Sequence, residues 1–307
     1  MTNISKIYCA PLQGFTDFLW RNAHAEVFGN VDIYYTPFMR MVNHSIPNRY
    51  IADVNPENNV ARIRPQILAT NPEDATLMVK QLRDMGYTEI DINLGCPHPP
   101  IAGKKKGSGM LAHPAMCEEL FVALSKIEEV RYSIKMRLGY DSFHQWQDIL
   151  PLMDIVSPME IVVHPRMGKQ VYRGDVNTDE FSILYEACHY PIIYNGDITS
   201  TSQIELLQHR YPHLSGVMVG RALLAKPYLF CNFVDSADLE RFHTLLYSQY
   251  RMSLTGGEHQ ILTKMKSLWE YFLPDADKKL RKAIKKCNSI PHYEQIVAQI
   301  FKYYTIM

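Results

Sequence analysis

Eight short β-rich runs recur along most of the chain, and their number and spacing constrain the fold more than any other feature. They are KIYCA (6–10), DIYYT (32–36), PQILA (65–69), EIDIN (89–93), YSIKM (132–136), EIVVH (160–164), PIIYN (191–195) and GVMVG (216–220). Most intervals carry apolar residues at helical spacing, as in 72–85 (PEDATLMVKQLRDM) and 202–208, while 37–64 is less regular. Alternation of strand and helix implies parallel strands joined by crossover helices, and eight such units in roughly 230 residues predict a closed (β/α)₈ TIM barrel. A doubly wound open sheet is the alternative. After about Asp238 the strand rhythm stops, and FHTLLYSQYRMSL, ILTKMKSLWEYFL and KKLRKAIKK read as helices. The expected organisation is therefore an α/β barrel over 1–238 and a small all-α C-terminal domain over 239–307.

Composition excludes several function classes. The 307 residues hold 32 basic and 32 acidic side chains, so any polyanionic partner must be met by a local patch. No run of about 18 apolar residues is present, and the start, MTNISKIYCAPLQG, lacks a basic segment followed by a long apolar core. No membrane association and a cytoplasmic location are expected, with a monomer as the expected state. Six widely spaced cysteines without a C-x-x-C pair argue for reduced thiols and against a zinc or iron–sulfur site, so no metal is expected.

A barrel places its chemistry at the C-terminal ends of its strands, where the loops converge on the open mouth. Polar and glycine residues gather there. The first run leads into Pro11, Leu12 and Gln13; the third carries Gln66; the fourth ends in Asn93 and runs into Cys96; the fifth bears Lys135 and Arg137. The sixth ends in His164 with Arg166 beyond, the seventh in Asn195, Gly196 and Asp197, and the eighth in Gly220 and Arg221. Each has a plainer reading. Asn-Gly-Asp is a common turn, Gln66 can bond a neighbouring strand, His164 can be a satisfied core histidine, and Lys135 can pair with a core acid. Together the last two loops suggest phosphate binding, because glycines let backbone N–H groups approach an anion and Arg221 adds charge.

The segments APLQGFTD, PQILAT, DINLGCP followed by KKKGSGML, IKMRLGYD, VVHPRMGKQVYRG, PIIYNGDI and VMVGRALLAKPYLF carry a family resemblance. In that order and spacing, from residue 8 to about 230, the chain resembles the flavin-dependent tRNA-dihydrouridine synthases. The resemblance implies an FMN-binding (β/α)₈ barrel, a helical domain that holds tRNA, and NADPH as a transient reductant; no nicotinamide motif is visible. It implies that Pro11, Leu12 and Gln13 lie against the flavin, that Gln66 bonds its edge, and that Lys135 sits near flavin N1 and O2. His164 matches a flavin-site histidine, and Asn195, Gly196, Asp197, Gly220 and Arg221 match ribityl and phosphate contacts. Asn93 and Arg166 match residues at the target uracil, with Arg137 placed beside them, and Cys96 matches the catalytic cysteine.

The chemistry gives the cysteine a purpose. Reduction of the uracil C5=C6 bond needs a hydride at C6 and a proton at C5, and a free thiol, with a pKa near 8.5, is mostly protonated at neutral pH yet acidic enough to donate. Gly95 and Pro97 would hold the thiol in a stiff loop. Two departures stand out: three prolines and the lysines 104–106 in CPHPPIAGKKKGSGML, and Pro165 between His164 and Arg166, where many relatives carry a small residue.

Charge is polarised along the chain. Residues 240–307 hold eleven basic against six acidic side chains, a balance of +5, leaving −5 for residues 1–239. KKLRKAIKK has six basic residues in nine, so Lys278, Lys279, Arg281 and Lys282, with Lys104, Lys105 and Lys106, are candidate phosphate contacts, which position RNA without reading its sequence. Both runs also suit a solvated surface. Two further readings use the same residues: a small-molecule pyrimidine oxidoreductase of the dihydroorotate dehydrogenase type, which needs no basic helical domain, and a flavin-bearing RNA-binding protein without turnover.

Overall fold

The computed structural model describes residues 6–304. All eight expected runs form strands: β1 (Lys6–Cys9), β2 (Ile33–Tyr35), β3 (Ile63–Arg64), β4 (Gln66–Ile67), β5 (Glu89–Leu94), β6 (Arg131–Gly139), β7 (Glu160–Met167), β8 (Ile192–Asn195) and β9 (Gly216–Val219). The third run appears as two pieces, β3 and β4, because Pro65 between them has no N–H to donate to a ladder. The strand order is β3-β2-β1-β9-β8-β7-β6-β5-β4, and every pair between neighbours is parallel. Since β3 and β4 are halves of one run, that order closes into the barrel expected from the sequence. The run also starts two residues earlier than its apolar stretch suggested, at Ile63.

Helices fill the crossovers, and local signals set their starts. In the helix Pro72–Asp84, Asn71 caps the first turn by accepting from the Glu73 N–H, Pro72 occupies the first helical position, and Glu73 and Asp74 complement the dipole. Asn177 and Ser200 cap the helices Thr178–Ala187 and Thr201–Arg210 in the same way. Ahead of β3, the irregular stretch 37–64 holds the short helix Asn48–Val54, one 3₁₀ turn, Pro56–Asn58, and isolated bridges at Met39 and between Val42 and Ser45.

By backbone packing the chain divides into two compact units: residues 1–11 with 32–219, and residues 12–31 with 220–307. The division is thus not a single cut at residue 238, because the N-terminal helix Phe18–Val27 groups with the C-terminal helices. Asp17 explains this attachment. Its carboxylate caps that helix through the Trp20 N–H at 3.1 Å, accepts from Tyr250 Oη at 3.0 Å, and pairs with Lys264 Nζ at 2.7 Å. The second unit contains the expected helices as Ser236–Ser253, Gly257–Leu268 and Lys278–Lys286, and a further helix, Ile290–Tyr303. Buried His243 accepts from or donates to Tyr293 Oη at 2.6 Å, and the Trp269 Nε1–H donates to the same oxygen at 2.9 Å.

In the first unit, Tyr8, Ala10, Ile33, Tyr35, Val162, Ile193 and Met218 form a buried apolar cluster. Beside it runs a polar layer. Gln66, Asp91, Ser133 and Glu160 sit in one register row across β4 to β7, and all four are buried. Glu160 accepts from Tyr8 Oη and Tyr35 Oη, each at 3.1 Å, and is ion-paired with Arg64, whose guanidinium also holds Glu89 at 2.9 Å. Removing one member of a buried charge pair leaves the other uncompensated. Glu160→Leu is therefore expected to lower unfolding free energy by about 3 kcal/mol in urea titration; a loss below about 1 kcal/mol would show that the layer contributes little.

Candidate active site

Cys96 lies two residues beyond β5, and its position is fixed from both sides. On the strand side, Asn93 Oδ1 accepts from the Gly95 N–H at 3.1 Å and the Cys96 N–H at 2.9 Å, folding the chain into an Asx-type turn. On the far side, the Cys96 carbonyl accepts from the Ser108 N–H at 3.1 Å and Ser108 Oγ at 2.9 Å. Gly107 makes this second clasp possible: it has φ +56°, and a Cβ built there would lie 2.8 Å from the Cys96 Cβ. The half-buried thiol packs against the apolar cluster of Phe38, Leu68 and Ile101.

Burial pushes the Cys96 thiol up from its ordinary pKa, against the opposing effects of the His98 backbone N–H and the charges of Arg137, Lys135 and Arg40. The sulfur is thus held protonated at neutral pH, as a proton donor needs and a thiolate nucleophile does not.

Below the loop the polar layer continues upward. Asn93 Nδ2 donates to Gln66 Oε1 at 2.7 Å, Gln66 Nε2 donates to Asp91 Oδ2 at 2.6 Å, and Ser133 Oγ donates to Asp91 Oδ1 at 2.6 Å. Burial raises the Asp91 carboxyl to about 7. Gln66 does bond a neighbouring strand, as its plainer reading held. Lys135, opposite Asn93 in register, donates from Nζ to Asn195 Oδ1 at 2.8 Å, and Asn195 Nδ2 donates to the Met218 carbonyl at 2.8 Å. No carboxylate pairs with Lys135 among the described residues, so the core-acid reading reduces to the charge of Asp91 at a distance.

The arginines have defined partners. Arg137, 1% exposed, donates from Nε to the Gly95 carbonyl at 3.1 Å and from Nη1 to the Met167 carbonyl at 2.8 Å, with its guanidinium over the Tyr172 ring. It therefore braces the Cys96 loop against β7. Arg166, 2% exposed, is ion-paired with Asp197, donates to the Gly174 carbonyl at 2.7 Å and lies 3.0 Å from His164 Nε2. Residues 164–166 and 195–197, separate in sequence, are thereby joined.

The strand ends offer a fit for an anionic planar cofactor. Lys135 supplies a partly buried cation, and Gly196 leaves room that a side chain would fill, since a Cβ there would meet Val176 Cγ1 at 2.9 Å. Pro11 is partly buried just past β1. Leu12, Gln13, Gly220 and Arg221 belong to the second unit: the Leu12 N–H donates to Thr16 Oγ1 at 2.9 Å, Gln13 is exposed, and Gly220 precedes the short helix Arg221–Ala225. Lys104, Lys105, Lys278, Lys279 and Lys282 are exposed and Lys106 is partly buried. Arg281 differs from its neighbours, for it donates to the carbonyls of Pro274 at 2.9 Å and Trp269 at 3.0 Å and ties its helix to the preceding turn.

The family model described as dihydrouridine synthase (Dus) matches residues 8–304. The chain belongs to the dihydrouridine synthase family. Among relatives, it is 27% identical over 261 residues to the probable tRNA-dihydrouridine synthase 2 of Bacillus subtilis (strain 168), covering 78% of each chain. In fold it is similar to histamine dehydrogenase from Rhizobium sp. 4-9, with a TM-score of 0.55, 10% identity, and coverage of 86% of this chain and 49% of that one. It is also similar to a morphinone reductase mutant in complex with tetrahydroNAD, with a TM-score of 0.50, 11% identity, and coverage of 78% and 86%. These two likenesses concern the barrel fold.

The sequence reading of this dihydrouridine synthase did not single out Asp91, Ser108, Ser133 or Tyr172. A signal for two of them existed: period-2 alternation puts Asp91 on the Asn93 face of β5 and Ser133 on the Lys135 face of β6. Burial lowers Lys135 to about 8 from a usual value near 10.5, with Arg137 adding to the effect and Asp91 opposing it. The folded chain therefore loses this charge as pH rises through about 8, while the unfolded chain keeps it until about 10.4. Acylation of Lys135 in the flavin-free protein, followed by peptide mapping, is expected to show a midpoint near 8; a midpoint near that of exposed lysines would contradict this.

Proposed function

We propose that this enzyme reduces the C5=C6 bond of uridine in tRNA to 5,6-dihydrouridine, with Cys96 as the proton donor and FMN, reduced by NADPH, as the bound cofactor. The carrying observation is the doubly clasped thiol just past the C-terminal end of a barrel strand, where burial favours its protonated form. A reduced flavin, when bound, supplies a hydride to C6 of the uracil. Cys96 Sγ gives its proton to C5, forming the C5–H bond as the π bond is lost, and the resulting thiolate regains a proton from water. The stiff turn holds the sulfur without an ordering step during the reaction. Lys135, Asn195 and Gly196 are the first-unit residues we assign to the flavin, where the ammonium offsets negative charge on the reduced ring. Gln66, the first residue of β4, and His164, inside β7 beside Arg166, belong to the same assignment.

We assign tRNA to the helical region 239–307. The support is charge: that region carries a balance of +5, and Lys278, Lys279 and Lys282 are exposed on one helix. Such contacts bind phosphates, so unpaired uridines in a folded loop are the substrates easiest to extrude to a barrel mouth. A monomer acting in the cytoplasm completes this reading.

Cys96→Ala is expected to leave flavin content and melting temperature unchanged while lowering dihydrouridine formation in tRNA by about 10²-fold or more. Product formation at the parent rate would exclude Cys96 as the acid.

A further inference from the structure

We infer that Asp91 is a positioning residue for the Cys96 loop, acting by fixing the direction in which the Gln66 and Asn93 amides face. The inference rests on the proposed role of Cys96 only for its catalytic meaning, since the geometry is independent of it.

The sequence of contacts admits one orientation at each step. Asp91 is 0% exposed, at a depth where an apolar residue would need no partners. Ser133 Oγ donates to one of its oxygens and Gln66 Nε2 to the other. Above about pH 7, where the Asp91 carboxyl is ionised, it only accepts, so the Gln66 NH₂ must turn toward it. The Gln66 oxygen is thereby aimed at Asn93, where it accepts from Nδ2 at 2.7 Å. The Asn93 NH₂ is then committed downward, and its oxygen faces up, onto the N–H groups of Gly95 and Cys96. With Gln66 0% and Asn93 6% exposed, reversing either amide would set donor against donor with little water to compensate. Asp91 thus supplies one barrel-side anchor of a loop that Arg137 and Ser108 also hold.

The test reads the loop directly, on the full-length protein at about pH 8, where Asp91 is ionised, by the rate of Cys96 alkylation with iodoacetamide followed by peptide mass mapping. Cys188 and Cys231, also partly buried, serve as internal references. Asp91→Leu and Asn93→Ala are each expected to raise the Cys96 rate by roughly fivefold or more, as easier local opening requires, with the reference cysteines unchanged. Asp91→Asn, which can still present an oxygen to Gln66, should stay within about twofold of the parent. The double variant Asp91→Leu/Asn93→Ala should be no faster than Asn93→Ala alone, because both act through the same turn.

The inference is overturned if folded Asp91→Leu is alkylated at the parent rate, if the two effects multiply in the double variant, or if Asp91→Asn behaves like Asp91→Leu. Should Asp91→Leu fail to fold, Gln66→Leu breaks the same chain one step higher and carries the same expectations. Failure of the acid assignment would appear separately, as product formed by Cys96→Ala with these alkylation results intact.

Discussion

Two backbone N–H groups, those of Gly95 and Cys96, converge on one side-chain oxygen, Asn93 Oδ1, and the arrangement of the barrel mouth depends on that convergence. Where β5 ends, the chain must leave its ladder within a few residues, because Pro97 cannot donate. The N–H groups just before the proline would otherwise face the partly buried mouth without acceptors, which costs about 1–3 kcal/mol each. Asn93 answers this locally, and in doing so it decides where the thiol sits.

The same constraint ties the mouth to the interior. A barrel of this size is filled by side chains, and here one register row of the filling is polar rather than apolar. Such a layer is tolerated only when its members satisfy one another, and the chain of contacts from Glu160 through Tyr35, Ser133, Asp91 and Gln66 to Asn93 meets that condition. Connected in this way, the interior is a rigid base for the loop above it, and Arg137 adds a brace from β6 to the Gly95 carbonyl.

Much of the fold was legible because short strands with β-branched and aromatic residues alternate with capped helices, and that rhythm survives in the linear sequence. The split at Pro65 was not read, since a proline at the start of an apolar run looks like punctuation and gives no sign of the two strand residues before it. The helix Ile290–Tyr303 was missed behind Pro291, which in fact occupies an allowed position in its first turn. The grouping of residues 12–31 with the C-terminal helices rests on the Asp17 contacts to Tyr250 and Lys264, more than 230 residues away, and no local pattern announces them. Cys96 and Asn195 could be picked out because each is polar or reactive at or just past the end of a strand, and Lys135 because it is a lysine inside an apolar one. What Arg166 and Arg281 touch could not, since both look like free cations in sequence and find carbonyl or carboxylate partners only once the chain folds.

The account stands or falls on where the thiol lies relative to the reacting base. A crystal structure of the flavin-loaded enzyme with a uridine-containing tRNA fragment measures this directly. Cys96 Sγ is expected on the face of the uracil opposite the flavin, roughly 3–3.5 Å from C5, with Asn93 still holding the Gly95 and Cys96 N–H groups. A sulfur on the flavin side, or one beyond reach of C5, would contradict it.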